Sequence, residues 1–151
     1  MSHKGIRLLI EDTAKKLGDD IQFTYARSSD FNILRDKRYP FISLGMLSAN
    51  ASYAVDNSWN YSKTWSVTMA FYELDKEGST QEEYALILDS TDVMVDTFIQ
   101  KLNFFILNDT ITITAINQTP FIKDFADILT GHILTFQLQV PDNWNYCADG
   151  C

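Results

Sequence analysis

STQEEYALILDSTDVMVDTFIQKLNFF, residues 79–105, is the strongest regular segment of the chain. Its first four residues, Ser79-Thr80-Gln81-Glu82, match a capping box: the Ser79 hydroxyl is spaced to accept from the Glu82 amide, and the Glu82 carboxylate to reach back. Glu82 and Glu83 put negative charge at the positive end of the helix dipole. Behind them, Tyr84, Leu88, Thr91, Val95, Phe98, Leu102 and Phe105 recur at alternating steps of four and three, which places them on one face of a helix of about 25 residues. Asp89, Asp92, Asp96, Gln100 and Asn103 populate the remainder. A helix with so continuous an apolar face is stable only when that face is covered, so it is expected to lie across a sheet.

Strand patterns flank it on both sides. Upstream, Trp65, Val67, Met69 and Phe71 alternate with Ser66, Thr68, Ala70 and Tyr72, a period of two that predicts a strand over 65–74. Shorter strands are expected at Ile21-Gln22-Phe23-Thr24-Tyr25 and at Phe41-Ile42-Ser43-Leu44, after Pro40. Residues 28–38 read as polar and turn-like, with Ser28, Ser29 and Asp30 able to cap a short helical turn. The opening segment, about residues 4–17, has Ile6, Leu9, Ile10, Thr13 and Leu17 on one stripe and predicts an amphipathic helix with Gly18 just beyond it. Downstream, residues 110–116 alternate cleanly, residues 117–130 read as a connection with Pro120 and a short helix near Lys123–Leu129, and residues 131–140 form the last strand. Residues 48–64 are rich in Ser, Asn and Ala and punctuated by Tyr53, Trp59 and Tyr61, which predicts a strand near 51–55 leading into a protruding arm. The order α-β-β-β-β-α-β-β implies a single α+β domain over residues 1–151: an antiparallel or mixed sheet packed by one long helix and an N-terminal helix, with a tail over 141–151.

Composition narrows the class. At 46% hydrophobic and 21% charged residues the chain matches ordinary globular usage, and no apolar run is long enough for a membrane helix. The start leads into no signal-peptide core, so Cys147 and Cys151 are expected as reduced thiols in a cytoplasmic protein. Their C-x-x-x-C spacing supplies two ligands where structural zinc uses four. The net charge of −8 disfavours non-specific binding to nucleic acid. That charge is unevenly spread: residues 1–40 hold eight bases and six acids (+2), residues 41–151 four bases and fourteen acids (−10). Two readings stand, scatter on a solvated surface or a subunit with one basic and one acidic flank suited to head-to-tail packing.

The chain offers no catalytic pattern: G-x-S-x-G, H-E-x-x-H, Walker A and G-x-G-x-x-G are all absent, and six glycines make no phosphate cradle. His132 has no nominated acid or nucleophile and reads as an edge or packing histidine. Asp89, Asp92 and Asp96 fall near one helix face without a histidine partner and read as solvated surface rather than metal ligands. No enzyme activity, cofactor or metal is expected. The aromatic residues of the arm and tail point instead to contacts between proteins, for which Tyr and Trp are favoured. The expected interface residues are Tyr53, Trp59, Tyr61, Trp144 and Tyr146, with Arg27, Lys37 and Arg38 on the basic flank.

A leading helix, a meander with a polar hairpin, a long helix and two closing strands resembles the tail-terminator and head–tail connector proteins of tailed bacteriophages. The closing stretch from Gly131-His132-Ile133 to Gln139-Val140-Pro141, followed by an aromatic segment and Cys147, is similar to the last strand and tail of short phage neck proteins. The resemblance implies a structural virion protein, assembled in the host cytoplasm, that forms a homo-oligomeric ring of six or twelve copies. Such a ring joins the portal or its adaptors to the tail and lets genomic DNA pass without specific binding or any membrane contact. A small-molecule-binding α+β domain is the alternative reading.

Overall fold

The computed structural model describes residues 3–25, 41–53, 61–74, 80–107, 111–124 and 129–141. The elements run α1 (His3–Lys15), β1 (Gln22–Tyr25), β2 (Phe41–Leu44), β3 (Ser48–Tyr53), β4 (Tyr61–Leu74), α2 (Gln81–Ile106), β5 (Thr112–Asp124) and β6 (Leu129–Pro141). They form one mixed six-stranded sheet with two helices, the expected α+β class. Strand order is β1-β2-β4-β6-β5, and β3 pairs β4 beyond the end of β2. Among the described residues only the β1–β2 pair is parallel. The turn-like stretch 28–38 lies outside the described residues.

Both helices pack on one face of the sheet. From α1 come Ile6, Leu9, Ile10 and Ala14, from α2 Val95, Phe98, Leu102 and Ile106. The sheet answers with Trp65, Val67, Met69 and Phe71 from β4 and Leu134, Phe136, Leu138 and Val140 from β6. Phe98, fully buried, meets Phe71 edge-on at 5.6 Å between ring centroids and Phe136 at 6.2 Å. Each such ring contributes about 1.5–3 kcal/mol through the area it takes from water. The opposite face carries a smaller aromatic row. Phe41 stacks on Tyr72 at 5.5 Å, and the register runs Phe41–Tyr72–Gly131–Phe121 across four strands. Gly131 is required there: a Cβ would come within 1.9 Å of the Phe71 carbonyl oxygen. Burial pushes the Tyr72 phenol well above its usual range, against a smaller opposing effect of Ser43.

Four expectations from the sequence are corrected. Thr80, rather than Ser79, caps α2: its Oγ1 accepts from the Glu83 amide at 3.3 Å, one residue on from the predicted Ser79–Glu82 pair. The third strand spans Ser48–Tyr53, not 51–55, and its partner β4 begins at Tyr61, four residues before the predicted start. Residues 117–124 are not a connection, because β5 continues through Pro120 to Asp124. The short helix near Lys123–Leu129 is likewise replaced, at Lys123 by strand β5 and at Leu129 by the start of β6; residues 125–128 lie outside the described residues. The reason is an extra residue: Thr114 pairs Gln137 and Asn117 pairs Thr135, so three steps on β5 match two on β6. Ala115 takes this up at φ 55°, in the left-handed region. Pro120 fits because β5 is the terminal strand, where a missing N–H breaks no ladder between two partners.

Candidate functional site

The helix α2 has two apolar faces. The predicted one is buried from Thr91 onward through Val95, Phe98 and Leu102, with Phe105 half-buried and Ile106 completing it. The other points away from the sheet. Leu86 (69% exposed), Val93 (63%), Phe104 (76%) and Leu107 (73%) are large apolar side chains held in water. Leu86, Val93, Gln100 and Leu107 are spaced by sevens, so they drift by only about 20° per step and form one lengthwise row. Acids flank the row over its first two-thirds: Glu82, Glu83, Asp89, Asp92 and Asp96, all exposed.

At its last turns the row opens into a groove shared with the end of α1. Lys16, Gln100, Lys101, Phe104 and Phe105 line a cavity of about 370 Å³. Lys16 holds its ammonium 3.9 Å from the Phe105 ring centroid, a cation–π contact that fixes one wall. The exposed edge of α1 is basic, with Lys4, Lys15 and Lys16, and Lys15 bonds Glu11 at 2.8 Å one turn back. Hydrogen bonding to Glu11 and its charge raise the Lys15 pKa, although so exposed a pair contributes little to stability.

Of the residues expected at an interface, the structure brings Tyr53 and Tyr61 together as register partners across the β3–β4 ladder. Trp59, Arg27, Lys37, Arg38, Trp144 and Tyr146 lie outside the described residues. The outward row of α2 was not among the expected positions. Its signal was present in the sevenfold spacing from Leu86 to Leu107, hidden behind the stronger buried pattern.

The polar groups nearest the core serve packing. His132 is 8% exposed in β6, an interior strand, and its Nδ1 lies 2.8 Å from Thr91 Oγ1. Thr91 also reaches the Ile87 carbonyl at 2.9 Å. The direction of the Thr91–His132 hydrogen bond follows the imidazole tautomer: the hydroxyl accepts where Nδ1 carries the proton and donates where it does not. Burial lowers the His132 pKa, opposed more weakly by Asp92 and Asp96. Asp92 in turn accepts a hydrogen bond from the Gln118 amide of β5. Among the described residues no three histidine, cysteine or acidic side chains stand close enough to share a metal ion, and no helix is long and apolar enough to cross a membrane.

The class defined so far is an α+β domain whose long helix presents an acid-flanked apolar row to its surroundings. Comparison adds no family to it: no protein-family model matches the chain, and no curated protein matches it.

Proposed function

We propose that this chain is a structural virion protein, a ring-forming head–tail connector or tail-terminator subunit of a phage neck. In this reading copies of the chain close into a ring between the portal and the tail, and genomic DNA passes through the lumen without specific binding. The observation that carries it is the outward row of α2: Leu86, Val93 and Phe104, with Leu107 at the C-cap, are all more than 60% exposed along the longest helix described. Apolar rows of that length on a domain surface mark protein contacts. The acids beside the row and the basic edge of α1 give the subunit two unlike flanks. Unlike flanks favour heterologous contacts, and heterologous contacts close into rings when the rotation allows. The net charge of −8 suits a conduit that must not hold a polyanion.

The test is the mass in solution by light scattering, with negative-stain images of the same sample. Rings with a hole wide enough for duplex DNA are expected. Val93→Glu with Phe104→Glu should give a monomer with unchanged helical content by circular dichroism. Rings that persist in that variant would remove α2 from the interface, and a protein absent from purified virions and monomeric throughout would overturn the reading. The alternative, a small-molecule-binding domain, has the groove at the helix ends as an available site among the described residues, while Phe71, Phe98 and Phe136 meet between α2 and the sheet.

A further inference from the structure

The groove at the ends of the two helices carries a chemistry that one segment of this same chain complements. Its lining supplies two ammonium groups, Lys16 and Lys101, and two phenyl rings, Phe104 and Phe105, with no acid among the lining residues described. Phe104 stands 76% exposed there beside the cations. The ten residues after β6, Asp142-Asn143-Trp144-Asn145-Tyr146-Cys147-Ala148-Asp149-Gly150-Cys151, hold two acids, no base and two large aromatic side chains. Trp144 and Tyr146 are two apart, so in an extended segment they share a face. Cationic rim and phenyl rings on one side, carboxylates and aromatic rings on the other, are complementary in charge and in aromatic character.

We propose that residues 142–151 of a neighbouring copy dock in this groove, their carboxylates against Lys16 and Lys101 and an aromatic ring against Phe104. The proposal rests on the ring reading and says what joins adjacent subunits. The segment starts where β6 ends, at Pro141 in register with Ser62, and ten extended residues span up to about 33 Å. A strap of this kind covers the most exposed phenyl ring of α2 and sets carboxylates beside the ammonium groups of Lys16 and Lys101.

The chain supplies its own probe, since Cys147 and Cys151 lie within the docking segment. In the full-length protein, Gln100→Cys puts a thiol in the groove wall, and Thr68→Cys puts a control thiol at an exposed position of β4. Under mild oxidation the Gln100→Cys protein should form interchain disulfides to Cys147 or Cys151, mapped by mass spectrometry of the peptides. A docked segment holds its thiol at an effective concentration of millimolar order, so at micromolar protein the bond should form about a hundredfold faster than in the control. Adding Lys16→Glu and Lys101→Glu should slow it by about tenfold or more, as attraction becomes repulsion. Bond formation no faster than the control, or a bond within one chain, overturns the proposal. Light scattering on the same samples separates the two ideas: rings without the interchain bond leave the ring reading standing and remove the strap, whereas monomers without it remove the strap and, where the protein is also absent from purified virions, the ring reading with it.

Discussion

Strands β5 and β6 have the same length, lie side by side and were both signalled by alternating residues, yet they behave as different kinds of strand. In β6, which has β4 on one side and β5 on the other, His132, Leu134, Phe136, Leu138 and Val140 are all buried under the helices. In β5, which has a neighbour on one side only, Ile111 just ahead of the strand is buried, Ile113 is half-buried, and Ile116 is 51% exposed. A strand held from both edges and from above has no freedom of register, because a slip of one residue would turn its whole apolar set to the other face. A strand held from one edge can absorb an inserted residue at Ala115 and a proline at position 120. The bulge and proline also blunt the free edge of β5 against pairing with other strands.

The widest separation between the two strands is expected from truncating one apolar side chain in each. Phe136→Ala removes a ring that is 2% exposed and packed against Phe98, and should cost about 3–5 kcal/mol. Ile116→Ala removes a side chain that stands half in water, and should change stability by no more than about 0.5 kcal/mol. Urea denaturation midpoints read both. Equal losses at the two sites would show that β5 is packed as tightly as β6 and would end the distinction.

The same contrast explains what could be read in advance. The buried faces of β4, β6 and α2 were legible because burial imposes a period, and Trp65, Phe71, Phe98 and Phe136 all fall where the period puts them. The continuation of β5 was not legible, because the bulge places an alanine at positive φ where glycine or asparagine would have announced it. The α2 cap was displaced by one because Ser79 and Thr80 are both capping residues with a glutamate three positions on, and composition alone does not choose between them. The outward row of α2 went unread for another reason. Periodicity reports that a face is apolar, but an exposed row carries no mark of what covers it. That Tyr53 and Tyr61 stand opposite each other was not legible either, since the register of β3 on β4 depends on β4 starting at Tyr61 rather than at Trp65.

Ala115 offers a sharper and smaller test. An alanine in the left-handed region carries roughly 1–2 kcal/mol of steric cost, whereas glycine adopts it freely at a loss of about 0.5–1 kcal/mol in chain entropy. Ala115→Gly should therefore stabilise the protein slightly, by about 1 kcal/mol or less, and Ala115→Val should destabilise it by more. Thermal midpoints of the two variants against wild type decide the matter. A destabilised glycine variant would mean that β5 runs through this position without the inserted residue.

The smallest effect belongs to β6 and titrates. His132 pairs across the sheet with Phe71 on one side and Pro120 on the other, and α2 brings Thr91, Asp92 and Asp96 to it. Burial disfavours the imidazolium more than the two carboxylates favour it, so the folded pKa lies below the ordinary 6.5. Above pH 6.5 both folded and unfolded chains carry a neutral His132, and the residue adds no pH dependence. As the pH falls through 6.5 the unfolded chain takes up the proton first, so stability drops until the folded pKa is passed and then levels off. The urea midpoint of wild type should accordingly fall more steeply between pH 7 and 5.5 than that of His132→Gln, which keeps a polar side chain at Thr91 without the titration. Carboxylates titrate at lower pH and act alike in both proteins, so they drop out of the difference. Parallel curves would mean that the core of β6 tolerates a cation as readily as water does, and the packing that sets β6 apart from β5 would then be too loose at its Gly131 end to exclude charge.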